Sequence, residues 1–241
     1  MCDAMPLVQQ TSGILSYSGV YMDQIQIDRV FQTLNSLYPD ADTELEFRSD
    51  YELLVAVMLS AQCTDKRVNQ VTKGLFAEFN TPEKMLTLSQ EALEQKIFSC
   101  GFYRNKAKNI LATSRALVDE YGGQVPHDWE ALQRLPGVGR KTANVVAAIA
   151  FDIPAIAVDT HVFRVANRIG LATAKDELHT ELQLQKCFPE EKWLRAHHLI
   201  LWHGRRCCDA RKPKCGQCPL SQDCRYFAQL DHQAPSPEKD A

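Results

Sequence analysis

Apolar residues along this chain recur at helical spacing and almost never alternate. Ile27, Val30, Phe31 and Leu34 share one face of a helix that begins at Asp23 and ends at Tyr38-Pro39-Asp40. Ser49-Asp50-Tyr51-Glu52 reads as a capping box, serine bonding forward and glutamate back, and opens the apolar run Leu53 to Leu59 of a buried helix. Thr64 or Asp65 caps the next helix, which puts Val68, Val71, Leu75 and Phe76 on one face. Thr81-Pro82 and Ser89 start two shorter helices, the second stopping at Gly101. From Arg104 to Tyr121 a stripe of Ala107, Ile110, Leu111, Leu117 and Val118 surrounds the small Ser114, and Gly122-Gly123 ends it. Asp128 starts a short helix, and further helices are predicted over Thr160–Ile169, Glu177–Cys187 and Glu190–Trp202. With neither a convincing strand nor an internal repeat, the chain reads as all-α, many short helices joined by short loops. Met1 to Met22 shows no periodicity and reads as a flexible extension; the tail from Gln229, with its prolines and charged end, reads as disordered.

Length changes this picture little, since 241 residues suit one large domain or two small ones. No apolar run approaches the roughly 18 to 20 residues of a membrane helix. The best candidate, Val145 to Phe151, is stopped by Asp152 and Pro154, so no membrane association is expected. The first basic residue is Arg29, which leaves no positive region to open a signal or transit peptide and predicts a cytoplasmic protein. A net charge of −3 argues at first sight against a polyanionic partner. The charges are uneven, however. Asp40 to Glu52 holds six acidic residues against Arg48, whereas Gly204 to Lys214 holds five basic residues against Asp209. Arg104, Lys106 and Lys108 form a second basic group and Arg134, Arg140 and Lys141 a third, enough for a basic face on a mildly acidic protein.

Nine cysteines without a secretory signal point to metal rather than disulfides. Four are spaced Cys208-x6-Cys215-x2-Cys218-x5-Cys224, close enough to encircle one metal centre with little loop-closure cost. Zinc and a [4Fe–4S] cluster both accept four thiolates. The spacing favours Cys208 over its neighbour Cys207, while Cys2, Cys63, Cys100 and Cys187 read as packing residues. Arg211, Lys212 and Lys214 lie between the first two ligands, on a loop pinned at both ends and suited to backbone phosphates.

Leu135-Pro136-Gly137-Val138-Gly139-Arg140-Lys141 places two glycines in a tight hairpin, whose amides can face an anion, ahead of the helix that presents Lys141. Eighteen residues later comes Asp159, within Val158-Asp159-Thr160-His161. Hairpin, lysine-to-aspartate spacing and cysteine array together resemble the endonuclease III family of helix-hairpin-helix DNA glycosylases. The resemblance runs from about Asp23 to Tyr226 and includes Leu59-Ser60-Ala61-Gln62 and Ile156 to Val165.

That resemblance implies two helical lobes: a six-helix barrel over 43–153 that ends in the helix-hairpin-helix, and an iron–sulfur lobe of 23–42 plus 154–226, flanked by 1–22 and a tail at 227–241. Damaged double-stranded DNA would lie in the groove between them, bound by a monomer that associates with the nucleoid through its DNA. The metal becomes a [4Fe–4S] cluster held by Cys208, Cys215, Cys218 and Cys224. The family removes oxidised pyrimidines by flipping the nucleotide out of the stack. By position, Gln62 would fill the vacated space and Phe102, where the family commonly has leucine, would wedge the stack. Lys141 would attack the sugar and form a Schiff base, Asp159 would stabilise positive charge or relay protons, and Gly137, Val138, Gly139 and Arg140 would grip phosphate.

A free lysine leaves only about 0.1% neutral amine near pH 7.4. Helix-end electrostatics, roughly 0.3 to 1 kcal/mol, are too small to change that, so desolvation with Arg140 nearby is the larger lever. Two competing readings are weaker. An adenine glycosylase of the superfamily lacks the lysine and needs a large C-terminal domain, yet only seventeen residues follow Cys224. A non-catalytic DNA-binding or redox-sensing protein has no use for Lys141 and Asp159 together.

Overall fold

The computed structural model describes residues 22–231, and among them there are helices and no strand. The expectations of a flexible segment before Met22 and of a disordered end after Asp231 lie outside the described residues. Met22 itself is buried, and a helix over Arg225–Asp231 carries regular structure three residues into the stretch from Gln229 expected to be disordered.

Two hydrophobic cores organise the chain. The first is centred on α2, Asp50–Ser60, in which every residue from Tyr51 to Leu59 is buried. Around it pack α3 (Asp65–Leu75), α6 (Tyr103–Tyr121) and α8 (Arg140–Phe151), while α4 (Pro82–Met85) and α5 (Gln90–Ile97) lie against α6 and α7 (Trp129–Arg134) against α8. The second core joins α1 (Gln24–Leu37) to α9 (Thr160–Ile169), α10 (Glu177–Cys187) and α11 (Trp193–Arg206). At roughly 1.5 to 3 kcal/mol for each large side chain taken fully from water, Leu53, Leu54, Leu59 and Ile110 alone supply much of the first core's driving force.

Local signals explain most boundaries. Thr64, Thr81, Ser89, Asp128 and Asp159 each cap the helix that follows, and the left-handed Gly122 ends α6. The box expected at Ser49 forms only in part. Ser49 accepts from the Glu52 amide, but Glu52 reaches one residue further back and accepts from the Arg48 amide at 2.7 Å. The reciprocal box forms instead at Asp23 and Gln26. α5 also stops at Ile97, short of Gly101, and the helix expected from Glu190 begins as a 3-10 turn before α11.

The first helix of the chain docks on α11 through the second core, and an arginine secures the turn that follows it. Arg195 donates to the carbonyls of Ala41 (2.5 Å), Tyr38 (2.9 Å) and Pro39 (2.8 Å), just beyond the end of α1. α9 and α11 approach so closely that a Cβ on Gly204 would lie 3.0 Å from the side chains of His161 and Val165. That contact fixes the base from which the cysteine loop departs.

Candidate active site and metal centre

Between the two cores runs a groove of about 1100 Å3, and the predicted catalytic residues meet there. Lys141 is the second residue of α8, exposed at the start of a helix whose N-cap, Gly139, offers no side chain. Asp159 is the N-cap of α9, and its Oδ1 accepts from the amides of His161 and Val162, both at 2.8 Å. Two helix N-termini, one from each core, thus bring an amine and an oriented carboxylate to one wall-to-wall space.

The hairpin before α8 is built for close approach. Gly137 has φ +75°, and a Cβ there would sit 2.6 Å from the Asn109 side chain. Thr113 Oγ1 donates to the Pro136 carbonyl at 2.5 Å, tying the turn to α6. Val138 differs from expectation: its side chain is buried and its amide donates to the Leu135 carbonyl at 3.1 Å, so it is spent within the turn. The amides of Gly137 and Gly139, with those at the start of α8, are left for an anion. Arg140 also differs. Its guanidinium makes a bidentate pair with the buried Glu181 carboxylate, at 2.6 and 3.0 Å, and lies over the Trp129 ring. The hydrogen-bonded carboxylate raises the Arg140 pKa and offsets the charge expected to bear on Lys141.

Gln62 lines the groove, and Phe102 stands on a neighbouring turn, where a Cβ on Gly101 would lie 3.8 Å from the Gln62 carbonyl oxygen. Both are exposed, and both hold the left-handed backbone with φ 52°. Phe102 is 66% exposed, so it is no core residue. The basic group Arg104-Lys106-Lys108 does not form a patch: Lys106 is buried and donates to three backbone carbonyls.

Several groove residues escaped the sequence reading. Arg205 is held by Asp65, at 2.7 Å, and by Glu44, and all three line the groove. Burial works against the Arg205 charge, the two carboxylates outweigh it, and its pKa rises. His197 is buried under the catalytic pair. Its Nδ1 lies 2.7 Å from the Ala157 carbonyl, which can only accept, so that nitrogen carries the proton. Burial pushes the His197 pKa down, with Asp159 pulling it up and Lys141 pushing it further down. No local motif marks these residues; the meeting of distant segments does.

The cysteine loop leaves α11 and is gripped from α9. Arg164 donates to the carbonyls of Gly204 (2.9 Å) and Cys208 (3.1 Å), and Arg168 to those of Asp209 (2.7 Å) and Ala210 (2.8 Å). Arg211 and Lys212 stay exposed, whereas Lys214 donates to the Arg206 carbonyl at 2.9 Å. Cys208, Cys215, Cys218 and Cys224 line one small pocket, together with Cys207 and His203. The tightest donor group there is His203, Cys207 and Cys218, whose ligand atoms lie within 4.8 Å of one another. Arg168 distinguishes the two adjacent cysteines, because its Nη1 is 3.5 Å from the Cys208 sulfur. Burial pushes the Cys218 thiol up to about 12, so it yields its proton only to a cation that replaces it. The four cysteines in this pocket form a soft thiolate set of the kind that holds an iron–sulfur group, with His203 beside them.

Comparison with known proteins agrees with this geometry. Residues 55–190 match the family described as HhH-GPD superfamily base excision DNA repair protein, and residues 208–224 match the iron-sulfur binding domain of endonuclease III. Endonuclease III of Bacillus subtilis (strain 168) is 49% identical over 207 residues, covering 86% of this chain and 94% of the relative. That of Escherichia coli (strain K12) is 48% identical over 193 residues, 80% of this chain and 92% of the relative. A solved trapped endonuclease III–DNA covalent intermediate superposes with a TM-score of 0.84 at 47% identity, over 87% of this chain and 99% of the other. A thermostable thymine-DNA glycosylase superposes with a TM-score of 0.75 at 25% identity, over 85% of this chain and 98% of the other.

Proposed function

The chain belongs to the endonuclease III family of helix-hairpin-helix DNA glycosylases, and on that premise we propose how its own residues carry out the reaction. It is a base-excision repair enzyme that removes oxidised pyrimidines from duplex DNA and cleaves the resulting abasic site, and it carries a [4Fe–4S] cluster. Lys141 is the nucleophile. Its neutral amine attacks the anomeric carbon of the flipped nucleotide, the glycosidic bond breaks with its electron pair on the base, which takes up a proton from solvent, and Asp159 relays an amine proton to the ring oxygen as the ring opens. The ring-opened Schiff base then loses a proton from the neighbouring sugar carbon and expels the 3′ phosphate by β-elimination. Asp159, oriented by two amides, also faces the positive charge that develops on the sugar.

Gln62 and Phe102 enter the stack when the damaged base leaves it, and the amides that open α8 hold the adjoining phosphate, with Gly137 shaping the turn and Gly139 giving the strand room. Arg140 acts from its pair with Glu181. The lobes are 43–153 and 23–42 plus 154–226, and the protein works as a monomer that associates with the nucleoid through its DNA. Cys208, Cys215, Cys218 and Cys224 would hold the cluster, which supplies a rigid fold for the loop; the charge-assisted contact from Arg168 favours Cys208 over Cys207. Arg211 and Lys212 then reach backbone phosphates, with Lys214 bracing the loop behind them.

The observation that carries this reading is the meeting of Lys141, Asp159 and Gln62 in one groove between two cores. Borohydride should trap a covalent complex with DNA containing thymine glycol, and Lys141→Gln should abolish both the trap and base release. Trapping through another lysine in that variant would overturn the assignment.

A further inference from the structure

Lys106 has the chemistry of a surface residue and the position of a core one. It lies on α6 one turn after Phe102 and is only 7% exposed. Its ammonium has three protons to donate, and the structure supplies three acceptors: the carbonyls of Leu59 (2.9 Å), Ala61 (2.7 Å) and Cys100 (2.9 Å). A buried cation is tolerated only when partnered this completely. Burial pulls its pKa down all the same, the nearby Cys63 and Cys100 thiols acting in the opposite sense.

The three acceptors come from two turns that sequence keeps about forty residues apart. Leu59 and Ala61 belong to the end of α2, where carbonyls are left without helical partners and a cation is favoured. The Ala61 carbonyl is part of the peptide unit that leads into Gln62. Cys100 supplies the other turn, two residues before Phe102. The turns nearly touch, since a Cβ on Gly101 would lie 3.8 Å from the Gln62 carbonyl oxygen. Gln62 and Phe102 both sit in the left-handed region, which side chains other than glycine's adopt only when the surroundings impose it. Neither is held by core packing: both are exposed, and Phe102, as N-cap of α6, makes no side-chain capping bond.

We propose that Lys106 is a positioning residue that fixes the two DNA-inserting turns relative to each other, so that Gln62 and Phe102 are set to enter the duplex together. This rests on the reading that both side chains enter the stack. One ammonium couples them: losing it frees the peptide before Gln62 and the peptide before Gly101 at once, and insertion must then order both turns from a mobile start. The reacting groups on α8 and α9 are untouched.

The test compares two reactions of the holoenzyme. Release of thymine glycol from duplex DNA needs insertion; cleavage of an abasic site in a single strand does not. Lys106→Met should slow the first about tenfold or more, a change of about 1.4 kcal/mol in the barrier, and leave the second within about twofold. A 2-aminopurine placed opposite the lesion should lose its fluorescence rise on binding. Lys106→Arg, which keeps charge and donors, should restore part of both signals and serves alone if the methionine variant does not fold. Equal loss in both reactions, for whichever variant folds, would reduce Lys106 to a structural role and overturn the proposal. The Gln62→Ala/Phe102→Ala double variant separates the two ideas. If it excises normally from duplex, the insertion reading is wrong; if it is impaired while Lys106→Met and Lys106→Arg excise normally, the positioning role is wrong. In the double-variant background, Lys106→Met should cost nothing further.

Discussion

From Tyr51 to Leu59 nine consecutive residues are buried, whereas between Cys207 and Cys224 Leu220 alone is. The first stretch is held by apolar area and needs nothing but its own side chains. The second has two 3-10 turns, two arginines gripping its backbone from α9, and a ring of thiols. Burial organises one of these elements, and a ring of cysteines and arginines organises the other. The lesson is that a loop can be made rigid where too little chain is available to build a core.

The sharpest way to break this comparison is to remove a ligand. Cys218→Ser should abolish bound iron and the absorbance near 400 nm, and weaken DNA binding with a shallower salt dependence, by roughly 0.9 in log–log slope for each phosphate no longer neutralised. Far-UV circular dichroism of the helices should persist. Cys207→Ser should keep its iron; loss of iron there with retention in Cys208→Ser would reverse the assignment of the first ligand. A smaller, global effect is expected in the other region. Leu54→Ala, at a fully buried position, should cost about 2 to 5 kcal/mol in urea unfolding without altering the iron content of the folded fraction.

The smallest effect concerns acid. The second core buries His197, His198 and His203, and the first buries no histidine. Burial, helped by His197 and the nearby arginines, pulls His198 from its ordinary 6.5 down to about 3, and neither of its ring nitrogens has a hydrogen-bond partner among the described residues, Asp42 lying 3.5 Å away. A base held neutral in the fold binds more protons when unfolded, so its contribution is intact above pH 6.5 and is lost as the pH falls toward the folded value. Between pH 6.5 and 4, the stability reported by Trp193 and Trp202 in the second core should therefore decline, with a shallower slope in His198→Leu. Trp129, beside the first core, should follow only when the whole chain unfolds.

Helices were largely legible, because caps and apolar spacing act over a few residues: α9 and α10 fall on the very residues their patterns predict. Charge was the least legible property. Lys106 reads as one of three basic surface residues, yet it is buried, because what decides its position is a cluster of carbonyls contributed by the distant end of α2 and by the turn just before its own helix. Arg140 similarly reads as a free cation beside Lys141 and is engaged by Glu181, forty-one positions along the chain. The tight turn before α8 is legible in its glycines, but the fate of the Val138 amide is not, since it depends on how tightly the turn closes. Motifs therefore singled out Lys141 and Asp159 as candidates, and the tertiary structure decides which neighbouring charges remain free to act on them.

Lys141 and Asp159 stand on helices of different cores, so the distance between amine and carboxylate is not fixed within any single element. It is set across a joint, where Arg140 meets Glu181 and where Asn144 donates to the Ile156 carbonyl while accepting from Trp129. The register of the two helix N-termini that line the groove therefore depends on how rigidly this seam is held, and the paired arginine and the doubly bonded asparagine are what hold it.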